Sequence, residues 1–326
     1  MTEPRQETCF VRSNCDSIPG MKRFSHEAMA TTFEIIIVHE DDRYARQAAT
    51  AAFDEVDRLE GELSRFIENS DISRINSLPA NQPLLLGMDA FECLQLSARI
   101  YVETNGAFDI TIGSLLNCWR ENESPRTPSA EQLNLALQFT GTELLQLDEV
   151  EHTVQLLASP VQIDLGGIGK GYAVDRIAEL LKEWSIDAAL ISGGYSSVLA
   201  LDAPSGTKGW PLTLSNPADR KQVLVRTSLQ GRALSGSGLQ KGQHIIDPRT
   251  GQPVEGKLAA WSSAPNAATA DALSTAFIIM SPDEIRQYCL LHPNILAMVI
   301  LQERDKGTQK SKVMRFGPWK EDELLE

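Results

Sequence analysis

Residues 161–184 read VQIDLGGIGKGYAVDRIAELLKEW. Val161, Ile163 and Leu165 alternate with Gln162 and Asp164, the period-two pattern of a short strand. Gly166-Gly-Ile-Gly-Lys-Gly171 then interrupts the pattern. Beyond it Ala173, Ile177, Leu180, Leu181 and Trp184 recur every three or four residues, one apolar stripe on a helix. The stretch therefore predicts strand, glycine loop, helix. Glycines let a backbone approach a ligand closely, and a helix start presents unpaired N–H groups to an anion, so a diphosphate suits this geometry. Lys170 places a cation in the same loop. Neither common phosphate motif fits: Asp164 and Gly171 stand where a P-loop needs Gly and Ser or Thr, and Gly167-x-Gly169 lacks the third glycine of a dinucleotide fingerprint. A tight turn without a ligand is the alternative.

Working outward, Thr32-Phe-Glu-Ile-Ile-Ile-Val38 is rich in β-branched residues and predicts the first strand. Phe53, Val56, Leu59, Leu63 and Phe66 mark a helix over Tyr44–Phe66, and a second helix runs from Asp89 to Glu103, where Asn105-Gly106 stops it. Glu121 to Glu131, with Pro125 and Pro128, reads as a polar inserted connection. Ala188–Ile191, Val198–Leu201, Val223–Val225 and Ile295–Leu301 carry strand signals, and Ala267–Met280 reads as a buried helix. Together these predict an α+β (mixed α/β) fold, a central mixed sheet flanked by helices. Residues 1–20 read as a loose polar tail, and 21–326 as a single domain or two closely joined lobes.

The chain of 326 residues is 42% hydrophobic, enough for a sizeable core, and its formal charge is -14. That charge argues against nucleic acid as a partner, because phosphate binding needs clustered Lys and Arg. An anionic ligand must then be met locally, by a divalent cation, backbone N–H groups or one placed lysine. The five cysteines, Cys9, Cys15, Cys93, Cys118 and Cys289, form no C-x-x-C pair and read as reduced structural thiols. No run approaches the roughly 20 apolar residues of a membrane span. The first twenty residues carry Glu3, Glu7 and Asp16 and no apolar signal core, so a cytoplasmic location is expected.

Two further motifs bear on chemistry. In Ala268-Thr-Ala-Asp-Ala-Leu-Ser-Thr-Ala276, Asp271 and Thr275 are spaced i, i+4 and share a helix face. A carboxylate with a hydroxyl suits Mg²⁺, which prefers oxygen and keeps waters and substrate phosphates in its shell; the alternative is that Thr275 bonds back to a carbonyl. His244-Ile-Ile-Asp-Pro-Arg-Thr-Gly251 is a turn in which His244 is either a proton-transfer group or a structural residue. Asp109 and Asp164 share that ambiguity.

Read together, these segments resemble the ApbE family of FAD:protein FMN transferases. The resemblance spans roughly Met29 to Met280 and rests on motifs in order: Met29-Ala-Thr31, Leu63-Ser-Arg-Phe66, Thr104 to Asp109 with Trp119 behind it, Asp164 to Tyr172, Ser192-Gly-Gly194, Ser235-Gly236, His244 to Gly251 and Ala270 to Ala276. It implies an ApbE-like, T-fold-related architecture with FAD in a cleft and Mg²⁺ beside the diphosphate. By the same resemblance Met29, Phe66, Ala107, Phe108, Asp109, Asp164, Lys170 and Ile246 line the flavin nucleotide. Asp271, Thr275 and the Gly167 carbonyl would hold the metal, Mg²⁺ or Mn²⁺, Gly167 standing where the family ordinarily has Ala. The implied reaction is attack by a Thr or Ser hydroxyl of an acceptor flavoprotein on the FMN-side phosphorus, with release of AMP. Lys170 assists electrostatically, and His244 or a nearby aspartate is the base. With water as acceptor the same site is an FAD pyrophosphatase. The chain departs from the family in Ala30, for the Gly of Met-Gly-Thr, and in Tyr195, for the acid of Gly-Gly-Asp. The second exchange keeps open an FAD-binding protein with weak or no transferase activity.

Overall fold

The computed structural model describes residues 10–15, 18–121, 124–217, 219–239, 245–305 and 308–319. Its eight-stranded sheet runs, edge to edge, β11 (Thr308–Phe316), β10 (Leu296–Asp305), β9 (Lys257–Ala264), β8 (Arg232–Gly238), β5 (Ser197–Ala200), β4 (Ala189–Gly193), β3 (Thr31–Val38) and β2 (Met21–Ala28). The α+β class holds, and every pairing within this sheet is antiparallel rather than mixed. In β3, side chains alternate between faces: Phe33, Ile35 and Ile37 enter one core and Ile36 another. Burial of both faces explains the unbroken apolar run. Each of these side chains contributes roughly 1.5–3 kcal/mol by leaving water.

Helices cover the first face. α1 (Asp42–Leu63) lies against β2, α2 (Met88–Glu103) touches α4 (Ala267–Ile279), α3 (Gly169–Glu183) packs on β4 and β5, and α4 crosses β8 and β9. A three-stranded sheet, β1 (Val11–Ser13), β6 (Trp210–Asn216) and β7 (Asp219–Leu229) in the order β1-β6-β7, covers the second. Trp210, Leu212 and Leu214 of that sheet meet Ile36, Leu190 and Trp261 of the large one.

The observed strands and helices differ from expectation in several places. Glu121 to Glu131, expected as a connection, holds part of the pairing of Arg120–Glu121 with Ser124–Pro125 and the start of the helix Ala130–Leu137. Phe10–Cys15, expected in a loose tail, contains β1, whose Val11 pairs with Leu214; residues 1–9 lie outside the described chain. Val161–Leu165 is extended but joins no sheet, making only the Ile112–Gln162 bridge. Its backbone is satisfied on one side by the 110–113 segment, where the Asp164 N–H donates to the Ile110 carbonyl and the Gln162 carbonyl accepts from the Gly113 N–H, and on the other by Asn76, whose Oδ1 accepts from the Ile163 N–H at 2.6 Å and whose Nδ2 donates to the Ile163 carbonyl at 3.0 Å. Phe66 lies beyond the end of α1 and is 83% exposed, so the apolar stripe ends at Leu63.

Candidate active site

α4 is buried on nearly all sides, as its Ala-rich sequence requires, and it carries Asp271 into the interior. Its start is capped twice. Asn266 accepts from the Thr269 N–H, and Asp175 of α3 accepts from the N–H groups of Ala267 and Ala268 at 2.6 and 2.8 Å. Burial pushes the Asp175 carboxyl up to about 6, against those two hydrogen bonds. α3 begins inside the glycine loop, at Gly169, with no side-chain cap. The two helices cross where Gly171 faces Ala267: a Cβ on Gly171 would lie 2.3 Å from the Ala267 carbonyl oxygen. Gly171 thus serves close helix packing, and its N–H donates to Asp271 Oδ2 at 3.2 Å.

Around that crossing lies a cleft of about 390 Å³. Ala107, Phe108, Asp109, Asp164, Gly167, Lys170, Ile246, Asp271 and Thr275, all selected from the sequence, line it. Asp271 is 3% exposed; its Oδ1 accepts from Ser197 Oγ at 2.9 Å, and Lys170 Nζ stands 3.7 Å from its Oδ2. Lys170 also donates to the Gly166 carbonyl at 3.1 Å. Thr275 Oγ1 is 3.2 Å from Ser237 Oγ and 3.5 Å from the Asp271 carbonyl. A Cβ on Gly167 would sit 3.3 Å from Thr275 Oγ1, which measures how closely that loop approaches α4. Asp271, Thr275 and the Gly167 backbone offer only oxygen, the donor chemistry of a hard divalent cation.

The two aspartates before the loop are fixed differently. Asp164 Oδ2 pairs with Arg65 Nε at 3.1 Å, and Oδ1 accepts from the Gly166 N–H. Asp109 is buried, which pushes its carboxyl up, while Oδ1 accepts from the Thr111 N–H and the hydroxyls of Thr111 and Thr142. Met29 is not among the cleft-lining residues; it sits in the β2–β3 turn, just before Thr31 of β3, which packs against Gly194. Phe66 is also outside the lining, with the Arg65 guanidinium 4.8 Å above its ring. His244 lies outside the described residues. Sequence reasoning missed Arg65, Ser197 and Ser237, and only the Ser-Arg of Leu63–Phe66 and the Ser-Gly of Ser235-Gly236 had flagged their neighbourhoods. A larger cleft, about 560 Å³, opens between α2 and α3 and holds none of the flavin-, metal- or proton-handling candidates named from the sequence. Among the described residues no group of three or more His, Cys, Asp and Glu side chains is placed to hold a metal, and no helix is long and apolar enough to cross a membrane.

Fold and cleft together define an α+β protein that sets a buried carboxylate, a hydroxyl and an ammonium group beside a glycine-bounded helix start. The chain belongs to the ApbE family, whose profile matches residues 29–300. It is 28% identical over 325 residues to the FAD:protein FMN transferase of Klebsiella pneumoniae (strain 342), covering 92% of this chain and 91% of that protein. It is 26% identical over 322 residues to the FAD:protein FMN transferase of Salmonella typhimurium, covering 91% of each. The crystal structure of the ApbE protein from Thermotoga maritima superposes with a TM-score of 0.80 at 27% identity, covering 91% of this chain and 97% of that one.

Proposed function

We propose that this protein is a FAD:protein FMN transferase that moves the FMN half of FAD onto a Thr or Ser hydroxyl of an acceptor flavoprotein and releases AMP. The observation that carries this is the meeting of Asp271, Thr275, Gly167 and Lys170 in one cleft, in a chain whose relatives are named FAD:protein FMN transferases. The oxygen-only donor set fits Mg²⁺, with Mn²⁺ as an acceptable substitute, and the cation would offset charge developing on the diphosphate. Asp271 would hold it, oriented by Ser197 and the Gly171 N–H. Lys170, tethered to the Gly166 carbonyl, brings a fixed positive charge to the phosphates. Phe108, Ile246 and Ile279 give the cleft apolar surface that would limit water around a bound diphosphate. The acceptor oxygen bonds to the FMN-side phosphorus as the bond from that phosphorus to the bridging oxygen breaks, and the oxygen leaves with AMP. The hydroxyl proton passes to a base, for which His244 is our candidate. A cytoplasmic acceptor belongs to the same proposal, in keeping with Cys93, Cys118 and Cys289, which stand as free thiols.

Incubation with FAD, MgCl₂ and a peptide containing Asp-Gly-Ala-Thr tests the proposal by mass spectrometry. A flavin adduct with one AMP per adduct is expected. Metal-dependent FMN and AMP without adduct would make the protein a pyrophosphatase instead, and tight FAD binding without AMP would make it a carrier. Tyr195 motivates keeping both outcomes in the assay, being 46% exposed where the family carries an acid.

A further inference from the structure

The N-terminal segment reaches the cleft. Phe10, 8% exposed, lines it beside Ser196, Gly236 and Ser237. Its backbone is held at both ends: the N–H donates to the Tyr195 carbonyl at 3.0 Å, and the carbonyl accepts from Trp261 Nε1 at 3.1 Å. The ring stands edge-on to Trp261, centroids 6.2 Å apart, and β1 then ties the strap to β6. Room for Phe10 depends on Gly236, where a Cβ would come within 2.9 Å of the Phe10 Cβ and 2.8 Å of Trp261. Ser197 and Ser237, next to these residues, bond to Asp271 and Thr275. The strap therefore brings Phe10, whose side chain belongs to the second core with Trp261, to the rim at the acid and hydroxyl end. Phe108, whose ring edge lies against Gly167, is a second aromatic in the lining.

We propose that Phe10 is a ligand-contact residue whose ring packs against the flavin dinucleotide in the cleft. The proposal rests on FAD being the ligand of this site. A wall supplied by aromatic faces suits a ligand with two planar ring systems, and one ring contact is worth several-fold in affinity.

The test is FAD binding, by titration calorimetry with MgCl₂ present, to the full chain and to Phe10→Leu and Phe10→Tyr, with melting temperatures recorded. Leucine keeps an apolar side chain against Trp261 and loses the aromatic face; tyrosine keeps the ring. The expected result is a Kd weakened about three- to ten-fold in Phe10→Leu and within two-fold of wild type in Phe10→Tyr. Phe10→Met replaces Phe10→Leu if leucine lowers the melting temperature. Wild-type affinity in a folded Phe10→Leu or Phe10→Met chain would overturn the proposal and make the strap structural only. Binding is read without turnover, so a wild type that binds FAD yet forms no adduct sinks the transferase and leaves this inference standing.

Discussion

Ala30 sits at φ +56° and Met29 at φ +49°, the two central positions of the turn joining β2 to β3. Both angles are left-handed, as a two-residue hairpin requires, and Cβ crowding there costs roughly 1–2 kcal/mol for a non-glycine residue. Ala30→Gly should therefore raise stability by up to about 1 kcal/mol after the greater unfolded-state entropy of glycine is subtracted, read as the urea midpoint at unchanged m-value. An unchanged or lower midpoint would remove the strain argument. Gly171 is the opposite case. Alanine there must part α3 from α4, so we expect Gly171→Ala to destabilise the protein by about 2 kcal/mol or more and to disturb the Asp271 carboxylate with it. The i, i+4 spacing of Asp271 and Thr275 was legible in the sequence because helical period alone puts them on one face. Ser197 and Ser237 were not, because each comes from a different strand and meets α4 only once the sheet is assembled.

At the scale of elements, the crossing of α3 and α4 places the site, and Asp175 fastens it by capping one helix from the other. Its carboxyl has a higher pKa folded, about 6, than the ordinary 3.8. Such a group holds its proton preferentially in the fold, so its contribution is complete below about pH 4 and is lost as pH rises through about 6. The stability of wild type relative to Asp175→Asn should decline across that window in urea melts; a difference that stays level with pH would show that the carboxyl is not so perturbed. The α4 helix and β3 were legible from length and composition rather than from period, the one an Ala-rich run too long for a strand and the other a short β-branched run. Val161–Leu165 misled because alternation signals an extended chain, whereas membership of a sheet needs neighbouring strands, and here one side meets only the short 110–113 segment while the Asn76 side chain takes the other. The segment at β1 was hidden for a related reason: a three-residue strand has too few positions to show a period, and its partner lies some two hundred residues on.

For the molecule as a whole, the covering of both sheet faces explains why the apolar run of β3 gave the α+β class but not the antiparallel order, which depends on pairings between distant strands. The cleft opens where helices, glycine loop and N-terminal strap converge, and its acidic and hydroxyl groups point to dependence on a divalent cation in a chain of net charge -14. Chelation with EDTA should abolish AMP release and adduct formation, and added Mg²⁺ should restore both, while the melting temperature of the ligand-free protein changes little; turnover that persists in EDTA would exclude the metal. The most direct measurement is a crystal structure of the protein soaked with FAD and MgCl₂. A cation is expected about 2.0–2.1 Å from the Asp271 carboxylate, the Thr275 hydroxyl and the Gly167 carbonyl, in contact with the diphosphate of FAD. A diphosphate bound elsewhere, with the Asp271 carboxylate turned away from it, would contradict the account.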